Sequence, residues 1–147
     1  MKPVYRIFFF LAVMASAVSL VSCAPDNTSS SDPNDARNVF VGVWQFTESG
    51  MLKNGNNISQ SYIVSIILDP DNSNQVLLNN FGNPGSSDKN VVGIVTSNQI
   101  VVSAQSLNNG WLVEGSGKST GTNKMTWSYS ITAGGDKIYY SASATKQ

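Results

Sequence analysis

The chain has 147 residues, with nine lysine or arginine side chains balanced by nine carboxylates, a single cysteine and no histidine. Without histidine, neither Ser-His-Asp nor Cys-His catalysis can be built, and histidine-based zinc sites are excluded as well. With equal numbers of basic and acidic residues, the chain also lacks the excess of positive charge that nucleic-acid binding normally requires. We therefore expect no nucleic-acid partner.

Residues 1–22 have the pattern of an export signal. A basic start precedes an apolar run over residues 7–21, which is interrupted only by small side chains and leads to the sole cysteine, Cys23. The Leu-Val-Ser-Cys sequence at 20–23 resembles the lipobox of bacterial lipoproteins. The resemblance implies cleavage before Cys23, with diacylglycerol on its sulfur and an acyl chain on the new amine. The alternatives are a transmembrane helix, which needs about 20 apolar residues, and a cleavable signal followed by a free cysteine.

Lipidation at Cys23 predicts an envelope protein held on a membrane by its lipid chains. We expect the outer membrane, because Cys23 is followed by Ala24 and not by the aspartate of the best-known inner-membrane retention signal. The periplasmic and the surface face both stay open. Loss of Lys2 and Arg6 with the signal leaves seven basic and nine acidic residues, a net charge of −2.

The mature chain divides into a tether and one domain. Residues 23–38 are rich in serine, proline, asparagine and aspartate, and such a segment cannot bury enough apolar surface to offset its ordering entropy. We predict a disordered tether there. Residues 39–147 suffice for one hydrophobic core and are too few for two.

The domain alternates short apolar runs with turn residues. The two-residue period of a strand is clearest over 125–131 and 138–144, which flank an Ala-Gly-Gly-Asp hairpin turn at 133–136. Six earlier runs are 40–49, 62–68, 75–80, 91–96, 99–103 and 111–116. About eight strands joined by short connections predict an all-β antiparallel meander closed into a barrel, with a β-sandwich as the alternative.

A short motif on the first strand gives this fold a family resemblance. Gly42-Val43-Trp44 looks like the Gly-x-Trp motif of lipocalins, and the chain resembles the small lipocalin-like lipoproteins of Bacteroidota in this motif, in 76–82, in 115–117 and in the Trp-Ser-Tyr hairpin at 127–129. The resemblance implies a lipocalin-like barrel whose Trp44 plugs one end. Two features depart from the family: no C-terminal helix follows, and the last strand offers lysine instead of the arginine that stacks on the tryptophan.

Aromatic residues are the main candidates for a binding site. Seven of them fall in phase with an apolar strand face and are predicted to line either a packed core or a ligand cavity: Trp44, Phe46, Tyr62, Trp111, Trp127, Tyr129 and Tyr140. A cavity with such walls would suit a small hydrophobic or amphipathic molecule.

The remaining polar motifs predict turns more readily than chemistry. Residues 115–120 superficially resemble a phosphate loop, but the required upstream glycine is absent, so we predict a hairpin turn. The Asp- and Asn-rich stretch 69–74 predicts a solvated turn, with weak calcium binding as the alternative. Glu48 is in phase with Trp44 and is predicted to point inward near the barrel mouth, whereas Glu114 is predicted to face the opposite way.

Two carboxylates on opposite faces cannot share a substrate, so we expect no enzyme, no metal and no cofactor. The leading hypothesis is a lipid-anchored, non-catalytic barrel that binds or carries a small apolar ligand. The rival is a structural or interaction lipoprotein with a solidly packed barrel, whose loops contact an unknown protein or glycan partner. The two hypotheses differ in the barrel interior, which holds a cavity in the first and is packed in the second.

Overall fold

The structure is a computed structural model that describes residues 32–52, 54–85 and 88–147. The predicted signal, Cys23 and the first part of the predicted tether lie outside the described residues. A 3₁₀ helix (Ala36–Val39) precedes eight strands: β1 (Gly42–Met51), β2 (Asn57–Leu68), β3 (Gln75–Asn79), β4 (Val91–Thr96), β5 (Gln99–Ser106), β6 (Leu112–Gly121), β7 (Lys124–Ala133) and β8 (Asp136–Lys146).

The strands form a closed antiparallel barrel in meander order. Each strand pairs with the next in sequence, and β1 also pairs with β8, from Trp44 opposite Lys146 to Gly50 opposite Tyr140. The predicted all-β meander barrel is confirmed, and the β-sandwich alternative is wrong. The reason is the β1–β8 ladder, because a sandwich would leave β1 with hydrogen bonds to only one of these two neighbours.

The meander gives the barrel two different ends. At the base lie the 3₁₀ helix, the start of β1 and the end of β8. At the opposite end, which we call the mouth, lie the described connecting residues 52, 54–56, 80–85, 88–90, 107–111 and 134–135.

Trp44 closes the base and explains the Gly-x-Trp motif. Its indole is buried, and its Nε1 donates a hydrogen bond to the Phe40 carbonyl at 2.7 Å. The Lys146 ammonium lies 5.4 Å from the centroid of the Trp44 ring, within cation–π range. A Cβ on Gly42 would stand 2.5 Å from Lys146 Cε, so the glycine makes room for the lysine stem. Lys146 of β8 is thus the cation that lies against Trp44.

Arg37 fastens the 3₁₀ helix to the base of the barrel. Its guanidinium pairs with Asp35 at 2.7 Å, which lowers the pKa of that carboxyl, and Nη1 donates to the backbone carbonyls of Asn72 at 2.9 Å and Gln75 at 3.2 Å. The ordered domain therefore begins before residue 39, where the sequence predicted a tether to end. The physical reason is this long-range set of hydrogen bonds, which a composition argument cannot see.

The Asp- and Asn-rich connection between β2 and β3 is a turn, as predicted. Asp69 and Asn72 each accept a backbone N–H two residues ahead, from Asp71 and Asn74, both at 3.0 Å. These Asx turns use the side-chain oxygens locally. Within the described ranges, no group of three or more acidic, cysteine or histidine residues is placed to hold a metal ion.

The segment at 115–120 is entirely strand: residues 115 and 116 belong to the run predicted as a strand, and the hairpin turn predicted for this segment is wrong. It belongs to β6, and Gly117 pairs directly with Trp127 of β7. Gly115 and Gly117 face inward beneath aromatic rings: a Cβ at 117 would lie 2.1 Å from Trp127 Cε2, and one at 115 would lie 2.3 Å from Tyr129 Cβ. The glycines provide space for the rings and do not form a turn.

Gly117→Ala is therefore expected to lower the free energy of unfolding by about 1–3 kcal/mol, because the added methyl overpacks the indole of Trp127. Urea denaturation measures this change. Ser116→Ala, one position along on the outer face, is the control and should change the free energy of unfolding by less than about 0.5 kcal/mol. Equal losses for the two variants would contradict the packing role of Gly117.

Candidate functional site

Six of the seven predicted aromatic residues lie inside the barrel. Trp44, at the base, is joined by five rings of the middle and mouth: Phe46, Tyr62, Trp127, Tyr129 and Tyr140. Trp111 differs, because it precedes β6 at the mouth and is only partly buried against the edge of the core. The structure thus places Trp111 at the rim and not among the interior rings.

Phe81 is an interior residue that the sequence pattern did not identify. It lies on the β3–β4 connection at the mouth, yet it is fully buried. Its ring centroid is 4.9 Å from those of both Trp127 and Tyr129, and it meets Phe46 edge-on at 6.2 Å. Phe81 therefore plugs the mouth half of the barrel from a connection and not from a strand.

The backbone around Phe81 is held in an unusual conformation. Asn80, Gly82 and Asn83 all have positive φ angles, of 63°, 81° and 59°. Asparagine and glycine are the residues that adopt this region most readily. The Asn80 side chain fixes the turn by donating to the Ile63 carbonyl at 2.8 Å and accepting the Gly85 N–H at 3.0 Å. The available sequence signal was a single phenylalanine between turn-forming residues.

A polar cluster lies next to these rings. Glu48 faces inward, as predicted, and its side chain is 1% exposed. Gln60 Nε2 donates to Glu48 Oε1 at 2.5 Å, and the Tyr62 hydroxyl donates to Glu48 Oε2 at 2.8 Å. The Tyr62 and Tyr129 hydroxyl oxygens are 2.9 Å apart. We call Glu48, Gln60, Tyr62 and Tyr129 the Glu48 cluster.

The direction of the hydrogen bonds in the Glu48 cluster follows from proton counting. A phenol has one O–H to donate. Tyr62 gives its proton to Glu48 and must therefore accept from Tyr129. Burial, and then the negative charge of Glu48, raise the pKa of Tyr62 far above its ordinary value, and the same two causes raise the pKa of Tyr140. Both phenols are thus neutral at physiological pH, and Tyr62 donates its proton to the hydrogen bond with Glu48.

Glu48 has no cationic partner among the described residues. The described ion pairs are Arg37 with Asp35 at the base and Lys137 with Glu114 on the outer wall. Glu114 faces outward, as predicted, and Lys137 lowers its pKa. The two glutamates are therefore separated by the barrel wall and cannot act on one substrate.

The mouth connection that carries Phe81 is tied to the Glu48 cluster. Asn83 Nδ2 donates to Gln60 Oε1 at 3.2 Å, while the amide nitrogen of the same glutamine bonds to Glu48. Gln60 therefore bridges the connection and the buried carboxylate. A movement that withdraws Phe81 would also alter the position of Gln60 against Glu48.

Trp127 supplies a further buried polar atom inside the barrel. Its Nε1 is buried and has no hydrogen-bond partner in the described part of the chain. Ala142 of β8 lies opposite both Glu48 of β1 and Trp127 of β7, so these two residues flank a single small side chain. A buried N–H without a partner costs free energy and calls for an explanation.

The outer wall carries a separate feature, an apolar band across β2, β3 and β4. Ile67, Leu77 and Val92 lie directly opposite one another in the ladder, and Ile63 and Ile94 extend the band with exposed fractions of 43% and 40%. We call these five residues the outer apolar band. Patches of this kind mark interaction surfaces when they are contiguous.

Comparison with known proteins gives only a likeness of fold. No family model and no curated protein matches the chain. Similar solved structures include EF1p2_mFAP2b bound to DFHBI (12% identity, TM-score 0.47, 77% of this chain and 98% of that chain) and a redesigned beta barrel (12%, 0.49, 77% and 96%). A de novo designed fluorescence-activating beta barrel is also similar (17%, 0.46, 77% and 98%). The barrel assignment itself rests on the strand pairing described above.

The described residues include no helix long and apolar enough to cross a membrane.

Proposed function

We propose that the protein is a lipid-anchored envelope lipoprotein whose barrel binds a small apolar molecule in the mouth half of its interior. The observation that carries the proposal is the fully buried Glu48, which has two neutral donors and no described cation. Apolar residues of similar volume commonly serve a core as well as or better than buried charges do. A few polar groups within apolar walls are typical of ligand sites.

The inward-facing strand positions around the Glu48 cluster support the proposal. Gly50, Gly115, Gly117 and Ala142 are all small, so the wall itself leaves volume there. Aromatic rings fill that volume, so the described interior is packed, as the rival hypothesis expects. One of these rings, Phe81, comes from a connection and not from a paired strand. A ligand would take the place of the Phe81 ring. We propose binding without catalysis, because the two strand glutamates lie on opposite faces of the wall.

Native mass spectrometry tests this function. The mature protein, purified in mild detergent from its own envelope, is expected to carry a reproducible extra mass that is lost on unfolding. A bare mass that stays unchanged after incubation with small aromatic and aliphatic compounds would contradict the proposal.

The anchor is tested by Cys23→Ser, because Cys23 is the proposed acceptor of the lipid. The variant is expected to move from the membrane fraction to the soluble fraction, since acyl chains contribute about 0.8 kcal/mol of membrane affinity per buried CH₂. Fractionation followed by immunoblotting measures the change. Ser22→Ala leaves the cysteine in place and is the control. Continued membrane association of Cys23→Ser would contradict lipid anchoring.

The second candidate function is an interaction lipoprotein with a permanently packed barrel. The outer apolar band favours it, because Ile67 and Ile94 expose 47% and 40% of their surface on a regular sheet face. In that case Phe81 would be a fixed core residue, and any partner would contact the outer wall.

A further inference from the structure

We infer that the ligand is a small ammonium compound with an aromatic body, whose positive charge pairs with Glu48. This inference rests on the proposed ligand-binding function and names the chemical class of the ligand. Three observations support it: the unfilled acceptor capacity of Glu48, the rings around it, and the place that Phe81 occupies.

Each oxygen of the Glu48 carboxylate accepts one described hydrogen bond and can accept another. Its two oxygens offer about four acceptor sites, and the structure gives it one bond from Gln60 and one from Tyr62. A buried carboxylate is costly unless an opposite charge is nearby. An ammonium group supplies both further donors and the positive charge that no described residue places against Glu48. A neutral ligand would leave the charge unpaired, and an anionic ligand would be repelled.

The surroundings of Glu48 also suit a cation. Tyr62 bonds to it directly, and Tyr129 and Tyr140 follow, with their rings stacked at 5.2 Å and an interplanar angle of 16°. Aromatic faces attract ammonium groups, and the attraction grows when water is excluded. The Glu48 cluster thus combines a carboxylate with tyrosine hydroxyls and the aromatic rings that carry them, and carboxylates and aromatic rings are both groups that attract an organic cation.

The position of Phe81 is the reason for proposing an aromatic group in the ligand. The phenyl group of Phe81 sits 4.9 Å from the rings of Trp127 and Tyr129. The Tyr129 hydroxyl reaches Tyr62, which in turn bonds to Glu48. Tyr129 and Tyr62 therefore connect the phenyl position to the carboxylate. We therefore expect the ligand to place an aromatic ring at the Phe81 position and an ammonium group toward Glu48.

The test compares three probes of nearly equal shape and different charge: 2-phenylethylamine, 2-phenylethanol and phenylacetate. Binding to the mature protein is measured at pH 7 by calorimetry, with tryptophan fluorescence as a second readout. The amine is expected to bind about tenfold or more tightly than the alcohol, and phenylacetate more weakly than both.

Glu48→Gln is expected to remove the preference, so that 2-phenylethylamine and 2-phenylethanol bind with similar affinity. Glu114→Gln, the same change on the outer wall, is the matched control and should keep the preference. Circular dichroism establishes that each variant is folded. Where Glu48→Gln does not fold, the ratio of amine to alcohol affinity in the unaltered protein decides alone.

Different results would contradict the proposed ligand class and the proposed binding function. Equal or tighter binding of 2-phenylethanol to the unaltered protein would overturn the charge inference and leave the ligand-binding function standing. A preference for the amine that persists in Glu48→Gln would overturn the role of Glu48. No binding of any of the three probes, together with a bare mass in native mass spectrometry, would overturn the binding function itself.

Discussion

Trp44→Ala is expected to lower the free energy of unfolding by about 3–5 kcal/mol, the usual range for removing a buried tryptophan. The indole is 1% exposed, donates to the Phe40 carbonyl and lies under the Lys146 ammonium. Alanine would leave a cavity at the base, an unpaired carbonyl and a lysine without its aromatic contact. Urea denaturation followed by circular dichroism measures the loss.

Trp111→Ala is the matched control for Trp44→Ala, because Trp111 is only partly buried at the opposite end of the barrel. Its loss of unfolding free energy is expected to be clearly smaller, since less apolar area returns to water. A loss below about 1 kcal/mol for Trp44→Ala would contradict the closing role of this residue at the base.

Phe81→Ala is expected to have two opposite effects. Removal of a fully buried phenyl ring lowers the free energy of unfolding by about 3–5 kcal/mol. It also vacates the site that the ligand would otherwise have to open, so 2-phenylethanol should bind severalfold more tightly. Apolar cavities of this kind stay dry and accept aromatic molecules. Chemical denaturation and calorimetry measure the two effects separately.

Leu107→Ala is the control that distinguishes removal of the Phe81 ring from a general loss of core packing. Leu107 is another buried residue on a mouth connection, 4% exposed. It is expected to cost stability without raising the affinity for 2-phenylethanol. If Phe81→Ala binds the alcohol no better than the unaltered protein does, Phe81 is an ordinary core residue and the packed-barrel candidate gains.

The barrel could be predicted because its side chains alternate cleanly. In β7, the large residues Met125, Trp127, Tyr129 and Ile131 all face inward as the two-residue period requires. The same two-residue period predicted that Glu48 faces inward and Glu114 faces outward. The choice between barrel and sandwich depended on β1–β8 pairing, which joins opposite ends of the chain and leaves no local signal.

The parts that sequence reasoning missed depend on long-range packing. β2 begins at Asn57, five residues before the predicted start, so Gln60 was outside every predicted strand although it bonds to Glu48. Phe81 lies in a turn, where periodicity carries no information about burial. In the sequence, Gly115 and Gly117 of β6 resemble turn residues. Their role is to leave room for Trp127 and Tyr129, and this role becomes apparent only when β7 lies beside β6.

The site of ligand contact is tested most directly by nuclear magnetic resonance. Amide and side-chain shifts of the labelled mature protein would be followed during titration with 2-phenylethylamine. We expect the largest shifts at Phe81, Gly82, Gln60 and Tyr62, with no shift at Ile67, Leu77, Val92 and Ile94 of the outer apolar band. Shifts confined to Ile67 and the other residues of that band would contradict binding inside the barrel.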